Sequence, residues 1–123
     1  MFTYEQSTGR FLDSSGNLLA EGYSGKGGGK NNPAMERVPD VGPIPAGLYH
    51  INPPIDTIEH GPFVLTLIPN EWNEMFDRGG FLIHGDSVEH PGEASEGCIV
   101  LPRPARERIA ESLAGDNLLQ VIP

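Results

Sequence analysis

Apolar residues fall in short runs along this chain, separated by polar turns rich in glycine and proline. That rhythm predicts many strands and few helices. Phe2 to Gln6 alternates apolar and polar positions and reads as a strand. Ser7-Thr8-Gly9 turns, Arg10-Phe11-Leu12 reads as a second short strand, Ser14 to Asn17 turns again, and Leu18 to Tyr23 reads as a third. Leu48 to Ile51 makes another, ended by Pro53-Pro54. Phe63 to Ile68 is strongly apolar and suits a central position in a sheet.

Asn70 to Phe76 reads as a short helix with Asn70 as its N-cap, broken by Gly79-Gly80. Trp72 within it is expected to anchor the core, because aromatic side chains bury well. One further helix is clearer. Ala105, Ile109 and Leu113 recur on one helical face, Pro104 sits in the first turn and Gly115 suits the C-terminal cap. Leu118 to Ile122 reads as a closing strand.

The expected fold is mainly β (α+β). It is a sandwich or open barrel of about eight short strands with one C-terminal helix. The chain has 123 residues and no visible internal repeat, so residues 1–123 are expected to form a single domain.

Composition narrows the function. The net charge of −9, from 17 acidic against 8 basic residues, repels phosphate backbones and anionic membrane surfaces, so neither nucleic acid nor membrane is the expected partner. No window approaches the roughly 20 apolar residues of a membrane span. The start, MFTYEQSTGR, lacks a basic segment followed by an apolar one, so no secretory signal is expected there and synthesis in the cytoplasm is. Ser24 to Pro33 is glycine-rich but lacks the Gly-Lys-Ser/Thr ending of a phosphate loop, and it reads as a mobile surface loop at the rim of a site.

The chemistry concentrates between Phe81 and Leu101. Phe81-Leu82-Ile83 leads into His84, and Ser95-Glu96-Gly97 leads into Cys98 and Ile99-Val100-Leu101. Two buried strands would thus bring a His and the only cysteine together at their ends. A lone cysteine forms no internal disulfide. In an apolar run it is more often an inert core residue, but here its approach is polar. An adjacent imidazole can take the thiol proton and leave a thiolate–imidazolium pair. The Gly85 carbonyl, or alternatively Asp86, would orient that imidazole. Gly97 would let the backbone turn tightly and point N–H groups at an oxyanion. His84, Asp86, His90 and Cys98 match no zinc spacing, so no metal is expected. His90 is expected at the rim, and His50 and His60 are expected to face solvent or pack locally.

His84-Gly85 followed by Ser95-Glu96-Gly97-Cys98-Ile99 resembles the His-Gly … Ser-x-Gly-Cys signature of L,D-transpeptidase catalytic domains. Tyr23-Ser24-Gly25, the turn Gly42 to Tyr49 and Ile83 to Asp86 narrow the resemblance to the DUF2778-type branch, which includes type VI secretion effectors. The similarity spans roughly residues 20 to 103. It implies a cysteine enzyme that forms a thioester on tetrapeptide stems of peptidoglycan and expels the terminal D-alanine, with hydrolysis, D-amino acid exchange or cross-linking to follow.

By matching position, Cys98 is the nucleophile, His84 the base and the Gly85 carbonyl its orienting partner. The N–H groups of Gly97 and Cys98 form the oxyanion hole. Tyr23, Ser24, Asp86 and Ser95 are assigned to the substrate-binding surroundings. The resemblance also implies action in the periplasm or cell wall of a target bacterium, an immunity protein as partner, no cofactor and a monomeric enzyme.

Two positions depart from the pattern. Many relatives have His where Glu96 stands and Arg where Val100 stands, so Arg78 or Arg103 is expected to supply the cation for a substrate carboxylate. Two other classes compete. A papain-like or NlpC/P60-like hydrolase places its cysteine before its histidine, the reverse of the order here. A non-catalytic wall-binding module of a phage or secretion particle would leave Cys98 buried and inert.

Overall fold

The computed structural model describes all residues 1–123. Ten strands form one continuous sheet. They are β1 (Phe2–Glu5), β2 (Arg10–Leu12), β3 (Leu18–Glu21), β4 (Tyr23–Ser24), β5 (Gly47–Ile51), β6 (Ile55–Thr57), β7 (Gly61–Pro69), β8 (Leu82–His84), β9 (Ile99–Val100) and β10 (Leu118–Ile122). A single α-helix, α1 (Arg103–Ser112), lies between β9 and β10.

The strand order is β3-β2-β1-β10-β5-β7-β8-β9-β4, with β6 hairpinned onto β7. Most neighbours are antiparallel, as short tight turns require; β1–β10 and β8–β9 are parallel. The last strand therefore inserts beside the first, with Phe2 opposite Leu119 and Tyr4 opposite Val121. All four of these side chains are buried in a core cluster of sixteen residues. Alternation in β1, β5 and β10 thus sends one face inward, as the sequence pattern predicts.

The run Leu18 to Tyr23, expected as one strand, is two. β3 is one edge of the sheet and β4 is the other, with Gly22 between them. The sheet therefore curls until its edges nearly meet, and a barrel-like wall results. Gly22 is required at that seam: a Cβ there would lie 1.9 Å from the Val100 carbonyl oxygen. Splitting this run and adding β6 turns the expected eight strands into ten.

Three other expectations are corrected. Asn70 to Phe76 is not a helix. Asn70 accepts the Trp72 N–H in an Asx turn at 3.0 Å, Asn73 exchanges two hydrogen bonds with the Leu48 backbone, and Phe76 and Asp77 adopt positive φ. Trp72 is 88% exposed and anchors nothing in the core. The glycine-rich loop is structured: Gly27–Gly29 and Pro33–Met35 each form a 3₁₀ turn, the second capped by the Asn32 side chain. Lys30 ties the loop to the Gly92 carbonyl at 2.8 Å.

Helix α1 forms where the apolar spacing placed it, burying Ala105 and Ile109 against the sheet. Gly115 lies beyond its end; the C-cap is Leu113. No helix is long and apolar enough to cross a membrane.

Candidate active site

The site is built on the parallel pair β8–β9. Ile83 pairs with Ile99 and His84 with Val100, so Cys98 lies level with Leu82. Ile83 and Ile99 point into the core. Side chains alternate along a strand, so Leu82 and His84 turn to the opposite face, together with the position Cys98 continues. A strand spacing of about 4.8 Å and two residues of rise at about 3.3 Å each put the Cα atoms of His84 and Cys98 about 8 Å apart. His84, Gly97 and Cys98 all line one cavity of about 320 Å³, with Phe81 and His60 in its wall. Asp40, Glu59, Glu93 and Glu96 also line it, with Lys26 as the accompanying cation.

His84 is 3% exposed, and its Nδ1 lies 2.8 Å from the Gly85 carbonyl oxygen. A carbonyl only accepts, so Nδ1 carries the proton and Nε2 keeps its lone pair. Burial, chiefly, holds the imidazole below its ordinary pKa. The Gly85 carbonyl opposes that shift, and the neighbouring His60 and Arg106 add to it.

Cys98 is half-buried. Its thiol points at the Gly80 carbonyl at 4.0 Å, and no hydrogen bond joins it to His84 in this resting geometry. Burial raises the thiol pKa. The Leu82 backbone works against that rise, and Glu59 and Glu96 reinforce it. Both shifts favour the neutral form of their group in this resting geometry. A neutral thiol–imidazole pair works by proton transfer during attack.

The Ser95–Cys98 turn is held by Ser95. Its buried hydroxyl donates to the Cys98 carbonyl at 2.6 Å and accepts the N–H groups of Gly25 at 2.9 Å and Gly97 at 3.0 Å. These bonds bear on two of the expected site residues. Ser95 is a strut behind the turn, its hydroxyl engaged within the protein. The Gly97 N–H is engaged inside the turn, while the Cys98 N–H has no partner within the protein and stays open. Ser24 is likewise buried, donating to the Gly97 carbonyl at 2.7 Å and accepting the Ile44 N–H at 2.8 Å.

Tyr23 and Asp86 form a separate brace. The Tyr23 hydroxyl donates to Asp86 at 2.6 Å and accepts the Ala94 N–H at 2.9 Å. Asp86 also accepts the N–H groups of Ser87 and Gly92. Burial, then the Asp86 partner, pushes the Tyr23 phenol up to about 12. Partial burial would raise the Asp86 carboxyl, but its hydrogen bonds outweigh that and hold it low. Together they stitch the loop between His84 and Cys98 to β4. Asp86 makes no hydrogen bond to His84; the Gly85 carbonyl does.

Of the two expected cations, Arg78 is engaged within the protein. The Arg78 guanidinium donates to the carbonyls of Glu36, Pro43 (2.7 Å), Gly42 (2.9 Å) and Glu96 (3.3 Å), which uses up both terminal nitrogens. Arg103 lies outside the cavity, 4.4 Å above the Phe63 ring and 3.6 Å from Glu107. Arg78 would have to abandon carbonyl partners to meet a substrate carboxylate; Arg103 makes no hydrogen bond, and its contact with Glu107 is half-exposed.

Sequence reasoning missed two residues. His60, at the tip of the β6–β7 hairpin, stacks on His84 with ring centroids 4.5 Å apart. Arg106, from α1, is buried behind Gly85 and donates to the carbonyls of Leu101, Pro62 and Phe63. No spacing in the sequence links either to residue 84. No group of three or more His, Cys, Asp or Glu side chains is placed to hold a metal ion.

A β-rich domain whose thiol and buried imidazole share one cavity has the parts of a cysteine-nucleophile site. The chain belongs to the Tlde1 domain family, a family of type VI secretion effector domains, whose model matches residues 19–123. No curated protein and no solved structure matches the chain.

Proposed function

We propose that this chain is a cysteine-dependent peptidoglycan-modifying enzyme acting on tetrapeptide stems, as L,D-carboxypeptidase and as D-amino acid exchanger. Its proposed setting is the periplasm or cell wall of a target bacterium, as an antibacterial effector paired with an immunity protein. The observation that carries the reading is the His84 Nδ1–Gly85 carbonyl bond at 2.8 Å, on an imidazole that shares its cavity with Cys98. That bond leaves Nε2 as the base.

In the proposed reaction Cys98 Sγ turns from the Gly80 carbonyl and attacks the stem carbonyl that precedes the terminal D-alanine, while Nε2 takes the thiol proton. The developing oxyanion meets the open Cys98 N–H. The imidazolium returns its proton to the leaving amine as the C–N bond breaks, and a thioester remains. Water or a D-amino acid then enters, again deprotonated by His84. The acyl group leaves sulfur and the thiol is restored. Hydrolysis and exchange share this acyl-enzyme and differ only in the acceptor.

Incubation with tetrapeptide muropeptides should release D-alanine. Cys98→Ala should lower that release at least about a thousandfold, since no other nucleophile lines up with the base. Intact mass after brief exposure should show an acyl adduct on wild type and none on Cys98→Ala. Absence of release from the wild type, or equal release from the variant, sinks the reading.

A further inference from the structure

The His60–His84 stack requires an explanation, because the hairpin closes without it. Thr57 Oγ1 accepts the His60 N–H at 2.8 Å and sits 3.4 Å from the Gly61 carbonyl, and Gly61 takes φ +81°. These contacts form the turn whatever the side chain at position 60 does. Yet that side chain lies nearly flat on the base, with an interplanar angle of 20°. It does so beside exposed Ile58 and Glu59, in a segment otherwise directed to solvent.

We infer that His60 is a positioning residue for His84: its ring clamps one face of the base, and two rings so close resist carrying charge together. The inference rests on the reading of His84 as the base.

The clamp follows from geometry. The Nδ1–Gly85 bond still allows the imidazole to rock about its hydrogen-bonded edge. A ring stacked on one face removes that freedom and keeps Nε2 directed into the cavity that holds Cys98. The charge effect follows from proximity. Two imidazolium rings in contact repel, so only one of the pair is readily protonated and the two titrate as a coupled unit. The two rings are not equivalent. His60 is the less buried of the two, and Glu59 lies 3.8 Å from its Nε2.

The other groups around the pair sort the same way. Arg106, against Gly85, also disfavours charge on His84, and Asp86 favours it more weakly. Glu93 lines the same cavity as both rings. His84 thus remains able to accept the thiol proton at a lower pH than an isolated imidazole would.

The test follows the four histidine Cε1–H resonances of the full chain by NMR across pH 4 to 8, with exposed His50 and His90 as internal references. In wild type the His84 midpoint should lie below the ordinary value of about 6.5. Its curve should also carry a second inflection at the midpoint of His60. His60→Phe keeps the ring and removes the charge; it should move the His84 midpoint upward by about half a unit or more. His60→Gln should move it the same way. The acid limb of kcat/KM for D-alanine release should follow the NMR midpoint in each protein, a response that a purely structural role would not produce.

A single-site His84 curve in wild type overturns the inference, as does a midpoint unchanged in the variants. If wild type releases no D-alanine while the resonances remain coupled, the proposed activity fails and the coupling of the two rings stands.

Discussion

At Gly97 the backbone takes φ +140°, and a Cβ would lie 2.6 Å from Arg78 Nη2 and 2.9 Å from the Phe81 ring. Neither neighbour can yield. Arg78 is held by four carbonyls and stacks over Phe81, which is itself buried. Gly97→Ala is therefore expected to cost about 2 kcal/mol or more, from the unfavourable φ and the overlap together. It should also displace Cys98, the next residue. Urea unfolding reads the first effect, and the rate of iodoacetamide labelling at fixed pH reads the second. A variant with unchanged midpoint and unchanged labelling would show that the turn is softer than this packing implies.

Among the elements, α1 matters to the site through one side chain. Arg106 reaches from the helix to the carbonyls of Pro62 and Phe63 on the β6–β7 hairpin and to Leu101 after β9. Three separate segments around His84 are therefore fastened by one buried guanidinium. Phe63 has φ +57°, and its carbonyl receives the 2.7 Å bond, so the hairpin is held in its kink by that contact. Replacing Arg106 with Met preserves much of the volume and strips one buried and two part-buried carbonyls of their donor. The expected loss is about 2–3 kcal/mol, read from a shifted thermal or urea midpoint. Removing this cation should also raise the His84 pKa, since Arg106 disfavours the imidazolium. An Arg106→Met protein as stable as wild type would argue that solvent reaches those carbonyls.

For the molecule as a whole, buried His84 and half-buried Cys98 predict a stability maximum near neutrality. His84 is held below its ordinary pKa, so the unfolded chain binds a proton more readily than the folded one. Its contribution is complete above the unfolded value of about 6.5 and is lost as pH falls toward the folded one. Cys98 is shifted upward, so its contribution is complete below the unfolded thiol value of about 8.5 and is lost as pH rises toward the folded one. Tm should therefore peak between about pH 6.5 and 8.5. Cys98→Ala should flatten the alkaline side alone, and His84→Gln the acid side alone. Thermal scans across pH 4 to 10 check both limbs; an alkaline limb that survives Cys98→Ala would assign it to another group.

The sequence by itself determined the strands whose alternation matches a one-sided core, the α1 stripe of Ala105 and Ile109, and the delivery of His84 and Cys98 by two apolar triplets. Those features are local: side-chain period and chain direction suffice to produce them. Only the tertiary structure decided what crosses the chain. Gly22 reads as an interior strand residue until both sheet edges meet there, and Asn73 reads as helical until its amide finds the Leu48 backbone. Arg78 reads as a free cation until four carbonyls converge on it. His60 and Arg106 reach the base from a distant hairpin and helix. A hydrogen bond or a ring stack across 24 residues depends on where the intervening backbone returns, and composition, period and spacing do not encode that return.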